Sequence, residues 1–394
     1  MLIGSKQVNE LTSKKVDELK TFLSFVLVLV LAVLTSCAGG STSANSSEGD
    51  TVALKYASNL QIVKHDGYTE VNLRNPWKEG KILHTYILVP QANELPSSLP
   101  EGTVIRTPVK RAVVFTTVHC SLFMTLGQQD RIVGVADLKY IKIPWIQEQC
   151  KKGLIADCGE GLSPVVEKVI DMNPDVMLLS PFENSGGYGK LDEINIPIVE
   201  CAEYMETSPL GRAEWMKFYG LLLGEEAQTE RLFAEVDSSY NALKDLAKTS
   251  KINRSVIVDK VTGSVWYVPG GRSTIGQMLS DARCDYPFAN DTHSGSLSLP
   301  FETVLEKGGE CDIWFYRYNS DRSMTLKDLL AEKEGYKQLK AYKTGEVYGC
   351  NVAKTLFYEQ SPFRPDYLLS DFIQILHPDI KGLHPLRYYF KLQN

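Results

Sequence analysis

The stretch LSPVVEKVIDMNPDVMLLS, residues 162–180, is echoed by LPFETVLEKGGECDIWFYR, residues 299–317. Each opens on Pro or Leu-Pro, carries a Glu on an apolar helix-like step, and breaks at polar residues. Each then runs through an Asp into a block of large apolar residues. A short helix feeding a buried strand is half of a βαβ unit. A chain that writes it twice, roughly a third of its length apart, is committed to two similar α/β halves.

The flanking sequence has the same grammar. AVVF (112–115), RIVGVAD (131–137), DVMLLS (175–180) and IPIVECA (196–202) read as buried strands. Between them TTVHCSLFMTLG, SPVVEKVIDM (Ser163 as N-cap, Pro164 in its first turn) and KLDEIN read as helices. The pattern restarts with SVIVDK and SVWYVP (255–269), then GGRSTIGQMLSDA, FETVLEKG, DIWFYR, TLKDLLAEKEGYKQL, EVYGCN and PDYLLSDFIQILHP. Alternating strands and helices predict mainly parallel sheets. Between the halves lies GEEAQTERLFAEVDSSYNALKDLAKTS (224–250), with Leu232, Val236, Tyr240, Leu243 and Ala247 on one stripe. No Gly or Pro falls between 225 and 250. That is a rod of roughly 35–40 Å, long enough to join two lobes.

The termini divide differently. Lys6, Lys14, Lys15 and Lys20 precede the apolar run FLSFVLVLVLAVL (22–34), which is short for a bilayer span and suits a secretory signal. LTSC (34–37) places small residues before Cys37. Residues 1–36 are read as a signal peptide and 37–50 as a Ser/Gly/Asn-rich tether; an uncleaved membrane anchor is the alternative. Residues 51–110 alternate in short runs between turn signals and predict a small β-meander ahead of the main fold. The lobes are then 111–223 and 251–394, joined by the helix 224–250.

Composition excludes some functions. The 394 residues carry a net charge of −6 with no basic stripe, which argues against nucleic acid. Besides Cys37 there are seven cysteines and no CxxC; the short Cys150–Cys158 spacing leaves a bridge open. Six histidines without an HxH or HxxxH pair leave a bare metal site without support. No GxSxG elbow, HExxH or paired-carboxylate motif points to an enzyme. A chelatase-like reading would need His119 with Glu183 or Glu203 as a metal-handling pair.

The order lipobox-like Cys, α/β lobe, one long helix, second α/β lobe resembles the substrate-binding proteins of ABC importers for ferric siderophores, cobalamin and haem. The matching stretches, from KRAVVFTTVHCSLFMTLGQQDRIVGVAD to FRPDYLLSDFIQILHPDI, span about residues 110–382; residues 51–109 fall outside the pattern. The resemblance implies two Rossmann-like lobes with a ligand cleft between them, and cleavage before Cys37 with lipidation of its thiol. It implies a monomer, lipid-anchored at Cys37 on the periplasmic or cell-surface side of the bacterial envelope, that serves a permease dimer with its ATPase subunits. It assigns Glu167 and Glu302, one per lobe, to contacts with permease arginines. The ligand would be an Fe(III) chelate, cobalamin or haem, with no resident cofactor or metal and no catalytic residue.

Ligands of α/β lobes sit beyond the carboxyl ends of the strands. The residues expected there are Thr117, His119, Tyr140, Phe182, Tyr204 and Trp215 in the first lobe, with Arg212 beside Trp215 in SPLGRAEW. The second lobe offers Trp266, Tyr267, Arg272, Arg317, Tyr318, Tyr358 and Arg364. Aromatic faces suit a flat or catecholate ligand, and arginines suit an anionic one. His119 alone reads more readily as a hydrogen-bonding residue than as a haem ligand. A lipid-anchored carrier that meets no permease shares every feature except a need for both glutamates.

Overall fold

A computed structural model describes residues 49–183 and 187–394. Cys37 and the segment before it lie outside the described residues. Two parallel sheets organise the fold. The first has the strand order Ile198–Glu200, Val176–Leu179, Ala112–Val114, Ile132–Val135, Ala156–Asp157, parallel throughout. The second has the order Val256–Val258, Ile313–Tyr318, Val347–Asn351, with Phe390–Lys391 antiparallel at its edge. In both, the strand that follows the Glu-bearing helix pairs with the first strand of its sheet. The repeated sentence is thus a repeated topology. The three interior strands Ala112–Val114, Ile132–Val135 and Val176–Leu179 are buried along their whole length, which is why they read as continuous apolar runs rather than alternating ones.

The helix between the lobes runs Glu226–Ala247 and buries Phe233, Val236 and Tyr240. It packs on Met216–Leu223 on one side and Pro365–Leu376 on the other, so each lobe has a helix against the rod. Gly220 makes the first packing possible: a Cβ there would lie 2.1 Å from Oγ1 of Thr229.

Three local readings are corrected. Ser163 and Pro164 form a short strand paired with Gly159–Glu160, and the following helix starts at Val166 without a side-chain cap. SVWYVP does not join the parallel sheet. Val265–Pro269 forms a separate antiparallel sheet with Val261–Thr262 and Ser296–Leu299, because Gly263 at φ +64° turns the chain straight back. Residues 51–110 are a five-stranded sheet, antiparallel from Asp50–Thr51 to Ile82–Pro90, whose last strand Thr103–Thr107 pairs parallel and so is not part of a meander. The seven described cysteines are free thiols, Cys150 and Cys158 included.

The N-terminal extension is fastened to the first lobe by buried carboxylates. Glu214 accepts the backbone N–H groups of Lys55, Tyr56 and Ala57 at 3.0, 2.7 and 2.9 Å. Glu206 accepts those of Ser58 and Asn59 at 3.0 and 2.8 Å, and also the Trp215 indole at 2.9 Å. The Tyr86 hydroxyl takes the N–H of Glu200 at 2.8 Å and donates to the carbonyl of Ile198 at 3.0 Å, which ties the extension to the edge strand. One hydrophobic core runs from Leu60 and Ile62 through both lobes.

Candidate functional site

The carboxyl ends of the two parallel sheets meet around a cavity of about 380 Å³. From the first lobe come Thr116 and Thr117, where strand Ala112–Val114 passes into helix Thr117–Thr125, and Ser180, just past strand Val176–Leu179. Glu203 and Tyr204 follow strand Ile198–Glu200, and Arg212 projects from helix Pro209–Glu214. The second lobe contributes Thr274, Ile275 and Met278 from helix Thr274–Asp281, Arg317 from strand Ile313–Tyr318, and Phe357 and Tyr358 from helix Phe357–Gln360. Helix Thr274–Asp281 starts there because Ser273 caps it, accepting the N–H of Gly276 at 3.0 Å. Thr117 Oγ1 donates to Oε1 of Glu359 at 3.0 Å and links the lobes at the cavity wall.

Of the residues expected at this site, Thr117, Tyr204, Arg317 and Tyr358 surround the one cavity. Trp215 and Trp266 do not, because both are 0 % exposed. The Trp215 indole is spent on Glu206; that of Trp266 donates to the carbonyl of Val258 at 3.0 Å, and its ring packs against Phe301, Trp314 and Tyr336. His119 is buried behind the wall between Tyr219 and Phe363. Tyr140, Phe182 and Tyr267 are exposed and are not among the cavity's lining residues. Tyr318 lines a different hollow with Asn351 and Tyr388, and Arg272 another with Lys244 and Asp281.

The arginines sort by their partners. Arg317 is clamped by Asp259, Nε to Oδ1 at 2.9 Å and Nη2 to Oδ2 at 2.5 Å. Arg364 is held by Asp366 at 3.0 and 2.8 Å and by Glu235 at 3.1 Å, with its guanidinium over the Tyr367 ring. Arg212 differs. Its Nε is buried without a hydrogen-bond partner among the described residues, and the carboxylate whose charge reaches it is Glu203. Burial alone would raise the Glu203 carboxyl; the His119 ring, Arg212 and the Tyr219 hydroxyl outweigh it and hold it at about 2. Arg212 therefore presents a guanidinium to the cavity that no aspartate neutralises in the manner of Arg317. Sequence reading placed it at the right strand end. The pairing of Arg317 and Arg364 with acidic partners is not visible along the chain.

Behind the wall His119, Cys201 and Glu203 bring one ligand-type atom each to within 4.8 Å of one another, all three residues buried. Glu167 and Glu302 lie on the outer surface, each exposed in the first turn of its helix. Around Glu167, Leu162, Val165 and Ile170 are exposed at 88 %, 40 % and 50 %.

Comparison with known proteins agrees with this architecture. An uncharacterized lipoprotein of Methanocaldococcus jannaschii is 27% identical over 358 residues, covering 85% of this chain and 84% of its own. The petrobactin-binding protein of Bacillus subtilis is 24% identical over 257 residues, covering 62% of this chain and 76% of its own. The crystal structure of a periplasmic heme binding protein from Pseudomonas aeruginosa superposes with a TM-score of 0.56 at 15% identity, covering 73% of this chain and 99% of that one. Among the described residues no helix is long and apolar enough to cross a membrane. The family model described as periplasmic binding protein matches residues 112–352, from the first strand of the first lobe through strand Val347–Asn351 of the second, and the chain belongs to the periplasmic binding protein family.

Proposed function

We propose that this solute-binding protein captures an anionic metal chelate of the ferric siderophore class in the inter-lobe cavity and delivers it to an ABC permease. The observation that carries the reading is Arg212, a guanidinium without an aspartate clamp on a wall shared with Tyr204, Phe357 and Tyr358. A guanidinium binds carboxylate or catecholate oxygens in a fixed fork, and the rings give flat apolar faces. A cavity of about 380 Å³ is small for a binding site and favours a compact chelate over a corrin. The likeness to a petrobactin-binding protein supports the same ligand class. Lipidation at Cys37 would hold the protein at the membrane where the permease lies, and the lipoprotein relative in Methanocaldococcus jannaschii supports that anchor.

The test is a titration of the purified protein with a ferric catecholate, a ferric hydroxamate, cobalamin and haem, followed by visible absorption and tryptophan fluorescence. Binding of a ferric siderophore is expected. Arg212→Gln should weaken it by roughly ten- to hundredfold, the scale of lost charge-assisted hydrogen bonds. Arg317→Gln should affect it less, because Asp259 already occupies that fork. Selective binding of cobalamin or haem would move the protein to another ligand class, and an unchanged affinity in Arg212→Gln would remove the anion argument.

A further inference from the structure

Of His119, Cys201 and Glu203 only Glu203 reaches the cavity, and the ligand reading gives none of the three a contact with the chelate. We propose that they form a three-residue site for a borderline divalent cation of the zinc class, closed by protein on most sides and open toward the cavity on the Glu203 side. The ligand set is one imidazole nitrogen, one thiol sulfur and one carboxylate oxygen, a combination that suits zinc rather than magnesium or calcium.

The second observation is the unpartnered nitrogen. His119 is 0 % exposed, and its Nε2 makes no hydrogen bond among the described residues. It faces Oε2 of Glu203 at 3.6 Å, too far for a good hydrogen bond. Two ligand atoms held at about 2.0–2.1 Å from a tetrahedral zinc lie roughly 3.4 Å apart, so the gap has the width of a shared cation. The other ring nitrogen, Nδ1, pairs with the Thr116 hydroxyl. An outer oxygen on the far nitrogen is the arrangement that fixes the tautomer of a metal-binding imidazole and leaves the inner lone pair free. The Tyr219 hydroxyl, donating to Oε2 of Glu203 at 2.9 Å, orients the carboxylate in the same way.

Charge sets the terms. When the cation binds, the Cys201 proton leaves to solvent, and thiolate plus carboxylate balance its two charges. Arg212 then remains as one uncompensated positive charge next to the site. An anionic donor entering from the cavity at the fourth position restores neutrality. Sequence spacing hid the group, since Cys201 and Glu203 flank one residue while His119 comes from a different strand end.

Cobalt(II) is the probe, added to the purified full chain with no chelate present, so the result does not depend on the ligand proposed above. The expected outcome is saturation at one cobalt per chain with a thiolate-to-cobalt charge-transfer band, displaced by zinc. Cys201→Ser should abolish the band. Thr116→Val, which removes the oxygen on the far nitrogen and no ligand atom, should weaken binding by about 10–100-fold while keeping the band. Absence of saturable binding to the wild type, or a band that survives in Cys201→Ser, overturns the site. Should the variants fail to fold, X-ray absorption of the zinc-loaded wild type decides: a shell of one sulfur with nitrogen and oxygen supports the site, and a sulfur-free or multi-sulfur shell rejects it.

Discussion

At the residue scale, burial rather than residue type separates ligand contacts from core. Trp266 has the chemistry of a stacking platform but is enclosed by Phe301, Trp314 and Tyr336. Trp266→Ala should therefore cost about 3–5 kcal/mol in urea unfolding, the usual toll of emptying a large aromatic site. Chelate affinity of the protein that remains folded should stay within a few fold; a larger loss would put the indole in the binding site. Glu359 makes a pH-dependent contribution at the lobe junction. Burial is the main cause that raises its carboxyl above the usual value, against the hydrogen bond from Thr117. A raised acid favours the folded state only when protonated. Its contribution is complete below the ordinary carboxyl value of 4.5 and is lost as pH rises through the folded value. Glu359→Gln should accordingly raise the melting temperature at pH 7, with the gain vanishing toward pH 4. A variant less stable than wild type at pH 7 would contradict this sign.

At the scale of elements, the N-terminal extension is part of the fold because two carboxylates take up its backbone donors. Residues 55–59 form no strand, so their N–H groups need other acceptors, and Glu206 and Glu214 supply them. Glu214→Ala strands three donors at once. With each orphaned buried group costing about 1–3 kcal/mol, the segment should detach locally before the lobes unfold. Trypsin cleavage at Lys55 should become rapid in this variant while the lobes resist. Equal cleavage rates in variant and wild type would show that the segment is held by its apolar contacts instead. The rod Glu226–Ala247 follows the opposite logic: its helix was readable from an unbroken apolar stripe, and packing against both lobes then holds it in place.

At the scale of the whole molecule, the two lobes share one outward design. A helix begins with an exposed Glu and leads into the strand next to the first strand of its sheet, once at Glu167 and once at Glu302. A partner built from two equivalent subunits meets such a molecule with equivalent contacts. Exposed charges of this kind steer encounter and set register more than they add affinity. In cells that depend on the chelate, Glu167→Arg combined with Glu302→Arg should abolish uptake and leave chelate affinity in solution unchanged. Normal uptake by the double variant would favour a carrier that meets no permease.

The sequence by itself determined the parallel sheets, the rod and the duplicated helix–strand unit. These rest on periodicity, on helix breakers and on apolar runs, all of which act over a few neighbouring residues. The tertiary structure decided everything that depends on a partner distant in the chain. Arg317 and Arg212 look alike in sequence. Asp259, on the neighbouring strand's end, clamps one in a two-point pair, while the other lines the cavity without such a clamp, with Glu203 as the carboxylate whose charge reaches it. Val265–Pro269 has a strand's composition, but its choice of sheet follows from a reversal at Gly263, and that reversal turns Trp266 inward. His119, Cys201 and Glu203 meet only because the parallel sheet brings the ends of Ala112–Val114 and Ile198–Glu200 to one edge, on either side of Val176–Leu179, and no spacing along the chain records that distance.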